Sequence, residues 1–171
     1  MLLAAKMGCL CQLSYKNTSL SAENKEHEEK CIAAMHIVDY KIWDDITGEG
    51  ANRSIDSQAI TGVLQNLSDR YPNPTPFVCF RGTKSLSDMM HDLASLVTVP
   101  LTTIKGNTVG TTGLGFDLKL TAFKKLGLFE HVMDQVNRYQ SGLFVTGHSL
   151  GTSISLFLLL LLFLSLSINC Y

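Results

Sequence analysis

Charged residues are scarce in this 171-residue chain, and they are unevenly distributed. They make up 17% of the sequence, against about 25% in typical soluble domains. The formal net charge is -1, and no cluster of Lys and Arg is present. This balance argues against nucleic acid as a partner. Residues 150–171 contain no charged residue and no histidine.

Cysteines are too few and too irregularly spaced for a disulfide framework or a structural zinc site. The chain has five, an odd number, with no CxxC pair and no matching pair of histidines. We expect mostly buried, reduced thiols, with one or two disulfides only if the chain is secreted. The five are Cys9, Cys11, Cys31, Cys79 and Cys170.

The N-terminal segment lacks the features of a secretory signal peptide. Its apolar start, MLLAAKMGCLCQL, is interrupted by Lys6 and has no continuous apolar region. Residues 2–15 therefore predict an amphipathic first helix. We expect the chain to be cytoplasmic or membrane-associated rather than secreted.

Strands and helices alternate along the chain, which predicts an α/β fold with a mostly parallel sheet flanked by helices. Short apolar runs bounded by Gly or Pro are typical of buried strands of a parallel sheet. Residues 56–69 fit either a helix or a pair of strands, and the prolines of 71–76 predict a break. The predicted strands are 37–45, 77–80 and 143–146, and the predicted helices run from Ser85 or Ser87 to Leu96 and over 117–139.

The sequence GHSLG, residues 147–151, directly follows the predicted strand LFVT. It fits G-x-S-x-G, in which a serine lies on a sharp strand-to-helix turn that exposes its hydroxyl. Gly147 and Gly151 would let the strand and the helix approach closely around Ser149. The alternative is a surface turn that happens to be flanked by glycines.

A second block, FVCFRGT, combines a predicted strand with the turn at Gly82 and Thr83. Hydrolases with a G-x-S-x-G turn need a second backbone N–H, from a loop after an earlier strand, to bind the oxyanion. Alone this block would predict a turn and no more, but its combination with GHSLG is informative.

Together, FVCFRGTKSLSDMMHDL and LFVTGHSLG resemble the class 3 lipases, a branch of the α/β-hydrolases. Asp88 and Asp92, then Gly115 and Phe116, follow in the order that this family shows. The resemblance implies a partial α/β-hydrolase domain over residues 1–153, which is the N-terminal part of the fold through the nucleophile turn. It implies hydrolysis of lipid carboxylic esters of the acylglycerol type through an acyl-serine intermediate, with no metal and no cofactor.

The resemblance also assigns roles to individual residues. Ser149 would be the nucleophile, and Thr83 and Leu150 would supply the N–H groups of the oxyanion hole. Gly147 and Gly151 would be the glycines of the turn.

The chain departs from the family after Ser149. The family order is Ser, Asp, His, but residues 150–171 contain no Asp, Glu or His. We expect His148 to pack at the turn, His91 to be an exposed helix residue beside Asp88 and Asp92, and His131 to be structural; His27 and His36 also precede Ser149. The alternative function is therefore a catalytically inactive lipase-like protein or a truncated product.

Residues 154–171 form a Leu-rich tail with an abrupt change in composition. Three interpretations compete: the foreign end of a truncated or mis-spliced product, a C-terminal membrane anchor, and a buried core helix. Residues 150–168 approach the about 20 apolar residues that a spanning helix needs. We expect the first, with contact to a membrane surface as the next alternative.

Overall fold

The computed structural model describes residues 3–15, 22–44, 58–66, 73–82, 97–102 and 106–167. Its helices are α1 (Leu3–Leu13), α2 (Ala22–Ala34), α3 (Leu114–Lys125), α4 (Leu128–Tyr139) and α5 (Leu150–Ser167). Its strands are β1 (Ile37–Asp44), β2 (Gln58–Leu64), β3 (Thr75–Phe80), β4 (Thr98–Thr102), β5 (Thr108–Gly113) and β6 (Phe144–Gly147).

The main described sheet has four strands in the order β1-β2-β3-β6. The β1/β2 and β2/β3 pairs are antiparallel, and the β3/β6 pair is parallel. The mostly parallel sheet expected from the sequence is therefore not confirmed, because the described sheet is mixed. The parallel pair forms where the chain crosses over through α3 and α4 before returning to the sheet, as parallel pairing requires.

Alternate side chains of β3 face opposite sides of the sheet. Phe77 and Cys79 belong to an apolar cluster with residues of α1, whereas Val78 and Phe80 belong to a second cluster with residues of α3, α4 and α5. The sheet therefore has helices on both faces. This explains why FVCF is apolar at every position, since neither of its faces meets water.

The predicted single helix over 117–139 is wrong, because the structure divides this segment into α3 and α4. Gly127 lies between them with φ 78°, a left-handed conformation that favours glycine. The N–H groups of Leu126 and Gly127 donate to the carbonyls of Ala122 and Lys124, which ends α3. The apolar spacing continues across the break because both helices face the same core.

Several other boundaries also differ from the expectation. Residues 56–69 contain a strand, β2. Strand β3 begins at Thr75 and includes Pro76, although a break in regular structure was expected over residues 71–76. Residues 97–115, whose Thr- and Gly-rich sequence predicts strand and loop, contain the antiparallel pair β4/β5. The helix expected between Ser85 and Leu96 lies outside the described residues.

Helix α5 continues without a break across the boundary expected between residues 153 and 154. One side of the helix is buried in the cluster with α3 and α4, while Leu156, Leu159 and Leu160 are exposed. Over the part of the chain that the structure describes, no helix meets the length and hydropathy required to cross a membrane. The buried side chains are Ile154, Leu158, Leu161 and Leu162.

Candidate active site

Ser149 occupies a sharp turn between a strand and a helix. Strand β6 ends at Gly147, and α5 begins at Leu150. Ser149 has φ 53°, which places a residue with a side chain in the left-handed region. Such a conformation costs about 1–3 kcal/mol and persists only when the surrounding structure holds it. The side chain is exposed at the tip of the turn.

The two glycines of the turn allow backbone segments to touch. A Cβ built on Gly147 would collide with the backbone carbonyl group of Gly151, and one built on Gly151 would collide with that of Phe80. Strands β3 and β6 and the first turn of α5 therefore meet without intervening side chains. Neither glycine has a positive φ. Glycine is therefore needed at these positions because there is no space for a Cβ, and not because of the backbone conformation.

Side-chain hydroxyls also attach the start of α5 to β6. The Thr152 hydroxyl donates to the Gly147 carbonyl at 3.0 Å. The Ser155 hydroxyl lies 2.8 Å from both the Thr146 and the Gly151 carbonyl oxygens. These short polar residues connect the helix to the strand in the first turn and a half, before the Leu-rich part begins.

The parallel pairing of β3 and β6 brings the two sequence blocks together. Phe80 is aligned with Gly147, so the residues that follow each strand emerge side by side. The His148 N–H donates to the Phe80 carbonyl at 3.3 Å. A Cβ on Gly82 would lie 3.0 Å from the Ser149 Cβ. The end of the FRG sequence therefore lies directly beside Ser149.

The proposed oxyanion-hole residues are placed only in part. Leu150 is the first residue of α5, and among the described residues no acceptor takes its backbone N–H. An unused N–H at a helix N-terminus is suited to stabilise negative charge. Thr83 follows Gly82 directly but lies outside the described residues.

Arg81, just before Gly82, is a buried arginine. Its backbone N–H donates to the Gln58 carbonyl at 2.9 Å, and its Nη1 donates to the Gln58 side-chain oxygen at 3.2 Å. The end of β3 is thereby attached to β2 beside the Ser149 turn. The sequence motifs assigned no separate role to Arg81.

Tyr15 is a neighbour of the turn that the sequence reasoning missed. Its hydroxyl lies 2.8 Å from Nδ1 of His148, to which it donates when that nitrogen is unprotonated. The two rings meet edge to face, with centroids 5.7 Å apart. The His148 side chain is therefore exposed beside the turn and in contact with Tyr15, just beyond the C-terminal end of α1. No local pattern could reveal a contact between residues so far apart in sequence.

No histidine or carboxylate among the described residues is placed to activate Ser149. Its hydroxyl makes no hydrogen bond to any other described residue. His91, Asp88 and Asp92 lie outside the described residues. The described ranges also hold no cluster of His, Cys, Asp and Glu that could bind a metal ion.

His131 lies on α4 against Trp43, with ring centroids 5.1 Å apart. Burial lowers its pKa below 6.5, and nearby Lys41 acts in the same direction, while Asp134 and Asp39 oppose the shift. Its Nε2 is buried without a hydrogen-bond partner among the described residues. These contacts agree with a structural role.

The lowered pKa predicts a loss of stability in acid. As the pH falls below about 6.5, His131 becomes protonated more readily in the unfolded chain than in the folded chain, so the free energy of unfolding falls as pH decreases. We expect His131→Phe, which keeps an aromatic ring beside Trp43, to lose less stability between pH 7.5 and 5.5 than the wild type. Urea unfolding at several pH values measures this, and parallel curves for the two proteins would contradict it.

A parallel strand pair, a serine at positive φ at the end of one strand, and a helix that starts at the next residue are features of the α/β-hydrolases. A family model described as Lipase (class 3) matches residues 77–166, more than half of the chain. The chain therefore belongs to the class 3 lipase family, as its sequence predicted. This family has the α/β-hydrolase fold, and its members are lipase-like hydrolases. A comparison with curated proteins found no match.

Proposed function

We propose that this protein hydrolyses carboxylic esters of lipids, of the acylglycerol type, through an acyl-serine intermediate on Ser149. One observation carries the proposal: Ser149 is held at φ 53° between β6 and α5, with its side chain exposed and Gly82 beside it. Strain of this kind at an exposed serine is expected where the hydroxyl must be presented to a substrate. The family membership supports the same reaction class.

In the proposed reaction, the Ser149 oxygen attacks the ester carbonyl carbon, and the alcohol of the lipid leaves with a proton. Water then cleaves the acyl-serine bond and releases the fatty acid. The Leu150 N–H, at the start of α5, would donate to the oxyanion that forms in each step. The Thr83 N–H would be the second donor. Removing a single donor of this kind costs about 10²–10³ in kcat in a comparable site.

Activation of Ser149 requires a general base, because a neutral hydroxyl is a weak nucleophile. The family order would place Asp and His after the serine, yet no Asp, Glu or His occurs in residues 150–171. A separate observation, the exposed leucines of α5, favours a second candidate function: a catalytically inactive lipase-like protein that binds lipid and contacts a membrane surface through residues 154–171. The exposed Leu156, Leu159 and Leu160 would be part of that contact.

A fluorophosphonate probe separates the two candidates, because it reacts covalently only with an activated serine. For the hydrolase, we expect labelling of the folded chain and complete loss of labelling in Ser149→Ala. Ser153→Ala is the matched control, since Ser153 lies one helical turn further along α5. It should be labelled as the wild type is.

Two other labelling results would contradict the proposed reaction on Ser149. Absence of labelling in wild-type protein with the circular dichroism of a folded α/β protein would reject the hydrolase and support the inactive lipase-like protein. Equal labelling of Ser149→Ala and the wild type would place the reactive serine elsewhere. Release of fatty acid from a short-chain acylglycerol then tests turnover of the labelled enzyme.

A further inference from the structure

Two cysteines from distant parts of the chain lie together on the face of the sheet covered by α1. Cys11 is on α1 and Cys79 is on β3, and their sulfur atoms are 3.9 Å apart. Both thiols are reduced in the structure. A disulfide requires about 2.05 Å between the sulfurs, so they would need to approach by somewhat less than 2 Å. Rotation of the Cys11 side chain, which is only partly buried, could supply part of this movement.

The surroundings of the two sulfurs give them different roles. The Cys79 thiol donates a hydrogen bond to the Cys11 sulfur, and this bond, with a smaller contribution from Thr146, lowers the pKa of Cys11 to about 7, although burial opposes the shift. The same bond and burial raise the pKa of Cys79 well above its usual value. Cys11 is therefore the thiolate that is accessible to an oxidant, and Cys79 is the buried thiol that could resolve its oxidation product.

We propose that Cys11 and Cys79 are a redox pair, in which a hydroperoxide converts two thiols into a reversible disulfide that joins α1 to β3. The Cys11 thiolate attacks one oxygen of hydrogen peroxide, the O–O bond breaks, and hydroxide leaves, so that Cys11 becomes a sulfenic acid. The Cys79 sulfur, after losing its proton, attacks the Cys11 sulfur and displaces a second hydroxide. Overall, two thiols and one peroxide give one disulfide and two waters.

The cysteine pair lies close to the strands that lead into the candidate active site. Cys79 is aligned with Thr146 in the β3/β6 register, one residue before Gly147. Tyr15, which contacts His148, lies four residues after Cys11 and two residues beyond the end of α1. The disulfide would therefore fix this end of α1 against the strands that carry the Ser149 turn. The proposal does not depend on hydrolase activity.

The test is performed on the full chain with Cys9→Ser, because trypsin would otherwise leave Cys9 and Cys11 in one peptide, residues 7–16. The folded variant is treated with hydrogen peroxide at a small molar excess, free thiols are alkylated, and the digest is analysed by mass spectrometry. We expect peptide 7–16 to be linked to peptide 71–81, which contains Cys79, and dithiothreitol to separate them. Cys31, a half-buried thiol near the same cluster, should remain alkylated.

A second variant, Cys9→Ser with Cys79→Ser, should lose the linked peptides and accumulate a Cys11 sulfenic acid that dimedone traps. The result from Cys9→Ser alone already decides the proposal if the second variant fails to fold. Recovery of Cys11 as an alkylated free thiol after peroxide treatment would overturn it. So would linkage of Cys11 to Cys31 or Cys170 in place of Cys79. Neither result would bear on the reaction proposed for Ser149.

Discussion

Replacing Gly151 by alanine is expected to lower the free energy of unfolding by about 3 kcal/mol or more, because no flexible group can yield to the new methyl. A Cβ at this position would overlap the Phe80 carbonyl oxygen and lie 2.8 Å from its carbon and 2.9 Å from the Arg81 carbonyl oxygen. These atoms belong to backbone that β2 and β6 hold on both sides. Relief would require α5 to move away from β3.

Gly8→Ala is the matched control for this prediction. Gly8 lies inside α1, and a Cβ there would meet no heavy atom within 4 Å. Alanine is favoured over glycine in a helix by about 1 kcal/mol, so this variant should be as stable as the wild type or more stable. Urea unfolding followed by circular dichroism measures both variants. Equal midpoints for Gly151→Ala and the wild type would show that α5 does not contact β3 as closely as described.

Leu158→Ala is expected to cost about 2–5 kcal/mol, the range found when a fully buried leucine is truncated. Leu158 has no exposed surface and lies in the cluster formed by the sheet with α3, α4 and α5. The missing side-chain atoms would leave a cavity that the surrounding helices can fill only in part. This prediction concerns the Leu-rich segment directly.

Leu156→Ala provides the comparison, because Leu156 is on the same helix but 64% exposed. The change in helix propensity is identical in the two variants, so their difference reports burial alone. We expect Leu156→Ala to change the unfolding free energy by about 0.5 kcal/mol or less. Small, equal effects of both substitutions would mean that residues 154–171 lie outside the folded domain, in agreement with the division at residue 153.

Local features of the fold were predictable because they depend on neighbouring residues. The apolar runs FVCF and LFVT are strands, and GHSLG forms a tight turn between a strand and a helix. The break at Gly127 was missed although glycine marks it, because the apolar spacing on both sides remained in phase. Spacing reports which face is buried, and it does not report whether the backbone continues as one helix.

The direction and order of the strands were harder to predict from the sequence. A buried apolar strand has the same appearance in a parallel and an antiparallel pair once both faces are covered. The sequence therefore predicted a mostly parallel sheet, whereas β1, β2 and β3 are antiparallel neighbours. The Leu-rich segment shows the same limitation, since its composition fits burial in protein and contact with lipid equally well.

The sequence by itself determined the family, the strand-to-helix turn around Ser149 and the glycines that this turn requires, because each is encoded within a few adjacent residues. Only the tertiary structure decided that Gly82 lies beside Ser149, that Tyr15 contacts His148, and that Cys11 faces Cys79. These contacts join segments that are many residues apart. They exist because β3 and β6 pair in one register and α1 packs on one face of the sheet, and no local pattern specifies either arrangement.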